Sequence, residues 1–286
     1  MLAYTRTVVN DAERVAENGS ITDVLGVLRE LPLSDFGELM WMLPSKEHPN
    51  LSRVLPKMAD VDVQNNWTGT NGYPLLIVTT DFIRTLAYAY LKLTGSDLRG
   101  ATVLDYGCGY GRMTRLMYYF TDPNCLWGLD PWDEAIRICN SDRLAGNFAV
   151  TDFLPTSLPV QDREFDVVYA FSVFTHTSER ATRTALQSLR KHIAASGLLA
   201  ITIRPREYWA SDPRLQNKAA GLEHLHDTVG FSFSPHQRPP VDGDITFGDT
   251  SMTLEWLQAN APEWEIVDFD RNLSDPYQAI VFLRPR

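Results

Sequence analysis

Cysteine is scarce: Cys108, Cys125 and Cys139 are the only three, and none lies in a Cys-x-x-Cys pair or beside a histidine at zinc-finger spacing. Neither a disulfide framework nor a structural zinc site is expected, and no metal is assigned. Positive charge is also short, with 26 Lys and Arg against 36 Asp and Glu, a net charge of −10 and no basic run. Affinity for a phosphate backbone needs clustered Lys and Arg, so nucleic acid is not the expected partner. Long apolar runs are missing as well. Stretches such as "GLLAITI" are far too short to cross a bilayer, and the first twenty residues hold no signal-like apolar core. The expectation is a cytoplasmic protein with no membrane contact. What remains is a 286-residue chain, 44% hydrophobic, which can fill a large core without internal repeats or low-complexity tracts.

Periodicity divides the chain. Residues 21–44 carry apolar residues at helical spacing, with Ser34 as a candidate N-cap, and 1–77 reads as a helical cap or lid. "NNWTGTNGYPLL" (65–76) is rich in turn formers, and "VTTDFIRTLAYAYLKLTG" is a helix stopped by Gly95. From residue 101 strand and helix signals alternate, which predicts an α/β fold: a doubly wound, mostly parallel sheet covered on both faces. "WEIVDFD" and "YQAIVFLRP" are joined by a link too short for a helical crossover, so the last two strands should form an antiparallel hairpin. Within the 78–286 core, 206–251 reads as an insert, with 234–251 as a long loop.

"VLDYGCGYGR" carries the chemistry. Gly107, Gly109 and Gly111 allow a tight turn and close ligand approach, and the helix that follows presents free N–H groups. A nicotinamide-type fingerprint would read GxGxxG. Here the spacing is GxGxG, and the Asp105 carboxylate stands where it would repel a pyrophosphate and favour a neutral or positive group. Asp130 ends the second strand, where a carboxylate can accept both ribose hydroxyls. Asp152 with Phe153, placed at the end of the third strand, suits an exocyclic adenine amine and the flat base.

With "LWGLDPW", "VTDF" and "FDVVYAFSVFTHT", this pattern resembles the class I S-adenosylmethionine-dependent methyltransferases, strongly over about residues 100–205 and by topology over the last 25 or so. The resemblance implies a seven-stranded sheet with a closing antiparallel hairpin, and S-adenosyl-L-methionine as cofactor. It places the methionine moiety against Gly107, Cys108, Gly109 and Gly111, with Asp105 towards the amino group. Ribose falls on Asp130, and adenine on Pro131, Trp132, Asp152 and Phe153. Phe171 and Trp67 complete the expected cofactor set. Cys108 also reads simply as a small buried filler.

Acceptor-side candidates are fewer. His176, just past the fourth strand, is either a base or a neighbour of a helix cap formed by Thr177 or Ser178. His236 is the second candidate base. Arg204 could hold a substrate carboxylate or close the sheet edge in a salt bridge, and His226 could line an acceptor wall. His224, His226, Asp227 and His236 could be read as metal ligands, but HxHD in a loop is more often polar surface. The expected activity is O-methylation of a sugar or natural-product hydroxyl. Alternatives are N-methylation, a protein or lipid-linked acceptor, a nicotinamide-dependent oxidoreductase, or a non-catalytic cofactor-binding protein. "FSVF" stands where base-amine methylating relatives would carry an "NPPY"-like tetrapeptide. The partner is expected to be a small-molecule acceptor, and oligomeric state is left open.

Overall fold

The structure is a computed structural model that describes residues 3–286. Contacts group the chain into two compact units, one reaching to Val150 and one beginning at Thr151. The expected boundary at 77/78 falls inside a continuous helix.

Among the described residues of the first unit six α-helices precede the first strand: α1 (Arg6–Val15), α2 (Ile21–Leu28), α3 (Leu33–Met42), α4 (Pro49–Val54), α5 (Val61–Thr68) and α6 (Gly72–Thr94). Ser20 and Asp23 cap α2 reciprocally, each side chain accepting from the other's backbone N–H, a box the sequence reading passed over. Ser34 is not a cap: α3 begins one residue earlier after Pro32, and the Ser34 hydroxyl accepts from Arg84 instead. The turn-rich passage 65–76 shrinks to the few residues between α5 and α6, because Gly72 already opens α6. That helix buries Leu75, Phe82, Ile83 and Leu86 and ends at Gly95, as expected.

Strands β1 (Val103–Tyr106), β2 (Leu126–Asp130) and β3 (Asn147–Val150) then alternate with α7 (Arg112–Met117) and α8 (Asp133–Ser141). All are parallel, with Asp105 level with Gly128, and Asp130 with Val150. β3 stops two residues before Asp152, which therefore follows the strand and does not close it.

The second unit continues with β4 (Phe165–Ala170), α9 (Glu179–Arg190), β5 (Ile193–Ile203), α10 (Tyr208–Ser211) and α11 (Ala219–Val229). It closes with β6 (Phe231–Pro235), β7 (Gly248–Met252), α12 (Leu254–Asn260), β8 (Trp264–Arg271) and β9 (Ala279–Pro285). β4 and β5 run parallel, while β9 is antiparallel to both β5 and β8. The seven-stranded sheet has the order β3-β2-β1-β4-β5-β9-β8. The expected long loop at 234–251 is found over its centre, residues 236–247, while its two ends belong to a hairpin in which β6 pairs antiparallel with β7. Likewise HxHD lies on α11, since "AAGLEHLHDTV" forms a helix stopped by Gly230.

Candidate active site

The glycine turn is built by its neighbours on β2. Leu129 O accepts from the N–H groups of both Gly107 (2.7 Å) and Cys108 (3.0 Å). All three turn glycines have positive φ, at 76°, 52° and 74°. Gly111 is the most constrained, because a Cβ there would stand 2.0 Å from Leu144 Cδ2. Over Gly109 lies Trp67, whose ring would be 3.5 Å from an added Cβ. Trp67 from α5 also packs edge-on against Trp132 (5.4 Å) and Tyr110 (6.3 Å). A residue from the N-terminal helices and the residue two past Asp130 thus share one aromatic wall.

Asp130 sits at the centre of this arrangement. It is buried, Oδ2 accepting from Gly109 N and Oδ1 from Trp132 N, each at 2.9 Å. Burial pushes its pKa up to about 6, although the two backbone donors pull it down. Each oxygen retains a lone pair, so this carboxylate can still accept two hydroxyls. Asp105, also buried, accepts from Thr114 Oγ1 at 2.8 Å. Cys108 is buried and its thiol lies well above the usual range, through its contact with Cys139 and burial, so it is a poor nucleophile. Pro131 is half-buried beside Trp132.

Arg115 is a residue the sequence reading missed. It is fully buried on α7 and donates to Tyr110 O and Gly111 O, to Lys57 O, and to the Asp142 carboxylate. It thereby ties the back of the glycine turn to the segment before α5 and to the end of α8. Only its pairing with a distant acid and a distant carbonyl reveals this role.

In the second unit the polar side chains converge on Asp249, which no sequence signal singled out. Its Oδ1 accepts from Arg204 Nη1 (2.7 Å) and Tyr208 Oη (2.8 Å), and its Oδ2 pairs with His236 Nε2 (2.8 Å). Burial penalises the carboxylate, but the His236 bond, the Arg204 charge and the Tyr208 hydroxyl outweigh it and hold its pKa below the ordinary value. The Arg204 guanidinium lies 3.9 Å from the Tyr208 ring centroid and donates also to Thr175 O. Its carboxylate partner is internal, the salt-bridge alternative raised for it from sequence.

The two candidate bases differ. His176 Nδ1 bonds Gly248 O (2.8 Å) and its Nε2 pairs with Arg204 Nη2 (3.1 Å), so both ring nitrogens are engaged. Burial, then the Arg204 charge, lowers its pKa to about 4, leaving it neutral at pH 7. Its ring stacks on Phe247 at 12°. Of the two cap candidates beside it, Ser178 and not Thr177 caps α9, accepting from Ala181 N. His236 is half-buried; with Nε2 on Asp249, its Nδ1 makes no hydrogen bond among the described residues.

The remaining candidates disperse. His226 is buried on α11 with Nδ1 on Ser251 Oγ, and burial lowers its pKa. His224 is exposed and Asp227 is held by Arg206, so no group of three or more His, Cys, Asp or Glu among the described residues could hold a metal. Asp152 is exposed, and Phe153 and Phe171 are half-buried.

Comparison with known proteins agrees with this geometry. Residues 103–197 match the family profile described as a methyltransferase domain. No curated protein matches the chain in sequence. Among solved structures, an S-adenosylmethionine-dependent methyltransferase from Clostridium acetobutylicum ATCC 824 is 13% identical, covers 78% of this chain and 96% of its own, and superposes with a TM-score of 0.52. Streptomyces venezuelae DesVI is 14% identical, over 80% and 100% of the two chains, with a TM-score of 0.51. These two show the fold, and no helix among the described residues is long and apolar enough to cross a membrane. Residues 103–197 thus carry a methyltransferase domain, and the seven-stranded sheet that holds them has the fold of the class I S-adenosylmethionine-dependent methyltransferases.

Proposed function

We propose that the protein methylates a hydroxyl oxygen of a small molecule, a sugar or another natural product, with His236 as the base. The observation that carries this reading is the His236–Asp249 pair, a buried carboxylate fixing Nε2–H and leaving the Nδ1 lone pair available. S-adenosylmethionine, when bound, supplies a methyl group already activated on a sulfonium leaving group. On the donor side Asp130 takes the ribose hydroxyls, the Gly107–Gly111 turn accommodates the methionine moiety, and Asp105 takes its ammonium. Trp67, Pro131 and Trp132 supply apolar walls that exclude water.

A neutral hydroxyl is a weak nucleophile, so its proton has to leave as the new C–O bond forms. His236 Nδ1 takes that proton, and the Asp249 carboxylate stabilises the resulting imidazolium through Nε2–H. A positioned base of this kind contributes about 10²–10⁴-fold. His176 does not compete for the role, because its lone pair is occupied by Arg204.

The test is transfer of labelled methyl to a panel of hydroxylated sugars and natural products, run beside amine, protein and lipid-linked acceptors. We expect a hydroxyl acceptor, and a kcat about 100-fold lower or more in His236→Gln with the affinity for the demethylated cofactor unchanged. Transfer confined to amines, or an undiminished kcat in the variant, would sink this reading.

A further inference from the structure

One side of α6 has no role in either site. The helix is 23 residues long, about 35 Å at 1.5 Å per residue, and its buried side packs the core of the first unit. On the other side Tyr73 (67% exposed), Ile77 (42%), Tyr88 (69%) and Leu91 (54%) face solvent. Asp81 and Arg84 lie between them, paired at 3.6 Å, and Arg84 also reaches Ser34 Oγ. At 100° per residue these six positions fall within an arc of about 80°, a single stripe about 27 Å long. Scattered exposed apolar residues need no explanation, but a continuous stripe on one helix does.

The order along the stripe is aromatic, aliphatic, acid, base, aromatic, aliphatic. Reversed, it is again apolar, apolar, charged, charged, apolar, apolar, with acid and base exchanged. A two-fold axis midway between Asp81 and Arg84 sets Ile77 opposite Tyr88 and Asp81 opposite Arg84, and brings Tyr73 within one residue of a position opposite Leu91, each pairing occurring twice. A parallel arrangement would put Asp81 on Asp81 and Arg84 on Arg84. Like charges there are repulsive, and that repulsion selects the antiparallel pair. From Ile77 to Leu91 the steps are four, three, four and three residues, the spacing of a helix–helix seam.

We propose that a second copy of this chain covers the stripe, forming an isologous dimer through antiparallel α6 helices. The four apolar side chains of each copy provide the burial, and the pairs of half-buried Asp81 with exposed Arg84 set orientation more than affinity.

Sedimentation of the full chain across the micromolar range tests this. Wild type is expected to be a dimer, and Arg84→Asp, which faces two acids with two acids, to dissociate at least about tenfold more readily. Asp81→Arg should do the same, and the double exchange D81R/R84D should restore the dimer. Tyr88→Arg, a second exposed change, should also give monomer, with thermal unfolding showing each variant folded. Under oxidation Ile77→Cys with Tyr88→Cys should cross-link between chains, and Ile77→Cys alone should not. A monomer at all concentrations overturns the proposal, even if the stripe then binds another protein or lipid vesicles. So does a dimer indifferent to Arg84→Asp, or cross-linking by Ile77→Cys alone.

Discussion

Two buried carboxylates anchor the two polar sites, and their proton affinities move in opposite directions. Asp130 accepts two backbone N–H groups but has no cation beside it among the described residues, so burial dominates and its pKa rises to about 6. Asp249 is as deeply buried, yet Arg204, Tyr208 and His236 hold its pKa down. The contrast separates two uses of a charge. Asp249 is saturated by its own chain and keeps the local structure together. Asp130 keeps a lone pair on each oxygen, the property that the proposed ribose contact requires.

The sharpest way to break the comparison is to remove each acid. Asp249→Ala should cost about 3–5 kcal/mol in urea unfolding, because it leaves the buried Arg204 guanidinium without its carboxylate partner. A loss below about 1 kcal/mol would show that the ion pair is replaceable by water. Gly111→Ala should cost about 2–4 kcal/mol, combining a left-handed φ with a clash against Leu144, and should abolish binding of the demethylated cofactor. Retained binding by calorimetry would remove the turn from the cofactor site.

Asp130→Asn should do the reverse of Asp249→Ala, leaving stability unchanged or slightly raised while weakening cofactor affinity by about tenfold or more. The pH dependence sharpens this. Because the folded pKa of Asp130 lies above its ordinary value of 3.8, the folded chain binds the extra proton between about pH 4 and 6. Its contribution to stability is then fully present below that window and is lost as pH rises through about 6. Cofactor affinity should run oppositely, falling as the carboxylate protonates below about 6, and the dependence should be absent in Asp130→Asn. A flat profile in wild type would mean that the carboxylate is not a ligand group. The smallest effect belongs to Cys108→Ala, where about 1–2 kcal/mol of packing is lost and cofactor binding persists.

Legibility followed chain distance. Gly107, Gly109, Gly111 and Asp130 belong to one strand–turn–helix–strand unit, so glycine spacing and strand-end position locate them from residue order alone. Asp249 draws on Arg204, Tyr208 and His236, brought together by the β6–β7 pairing and by bonds from β7 to the segment after β4, with Thr250 N on Thr175 O and Gly248 N on His176 O. Arg115 was missed for the same reason, since its partners at Lys57 and Asp142 are remote in sequence. The insert was misread because Gly, Pro and Asp at its centre marked a turn and hid the short strands on either side.

By itself the sequence determined the alternating α/β order, the closing hairpin and the glycine turn, because hydrophobic period and glycine spacing are local properties of the chain. Only the tertiary structure decided which polar groups are satisfied. Burial, and the hydrogen bonds that make it tolerable, depend on neighbours that residue order does not name. That is why His176 is engaged at both nitrogens while His236 keeps a lone pair, and why one buried aspartate is held charged while burial raises the pKa of the other.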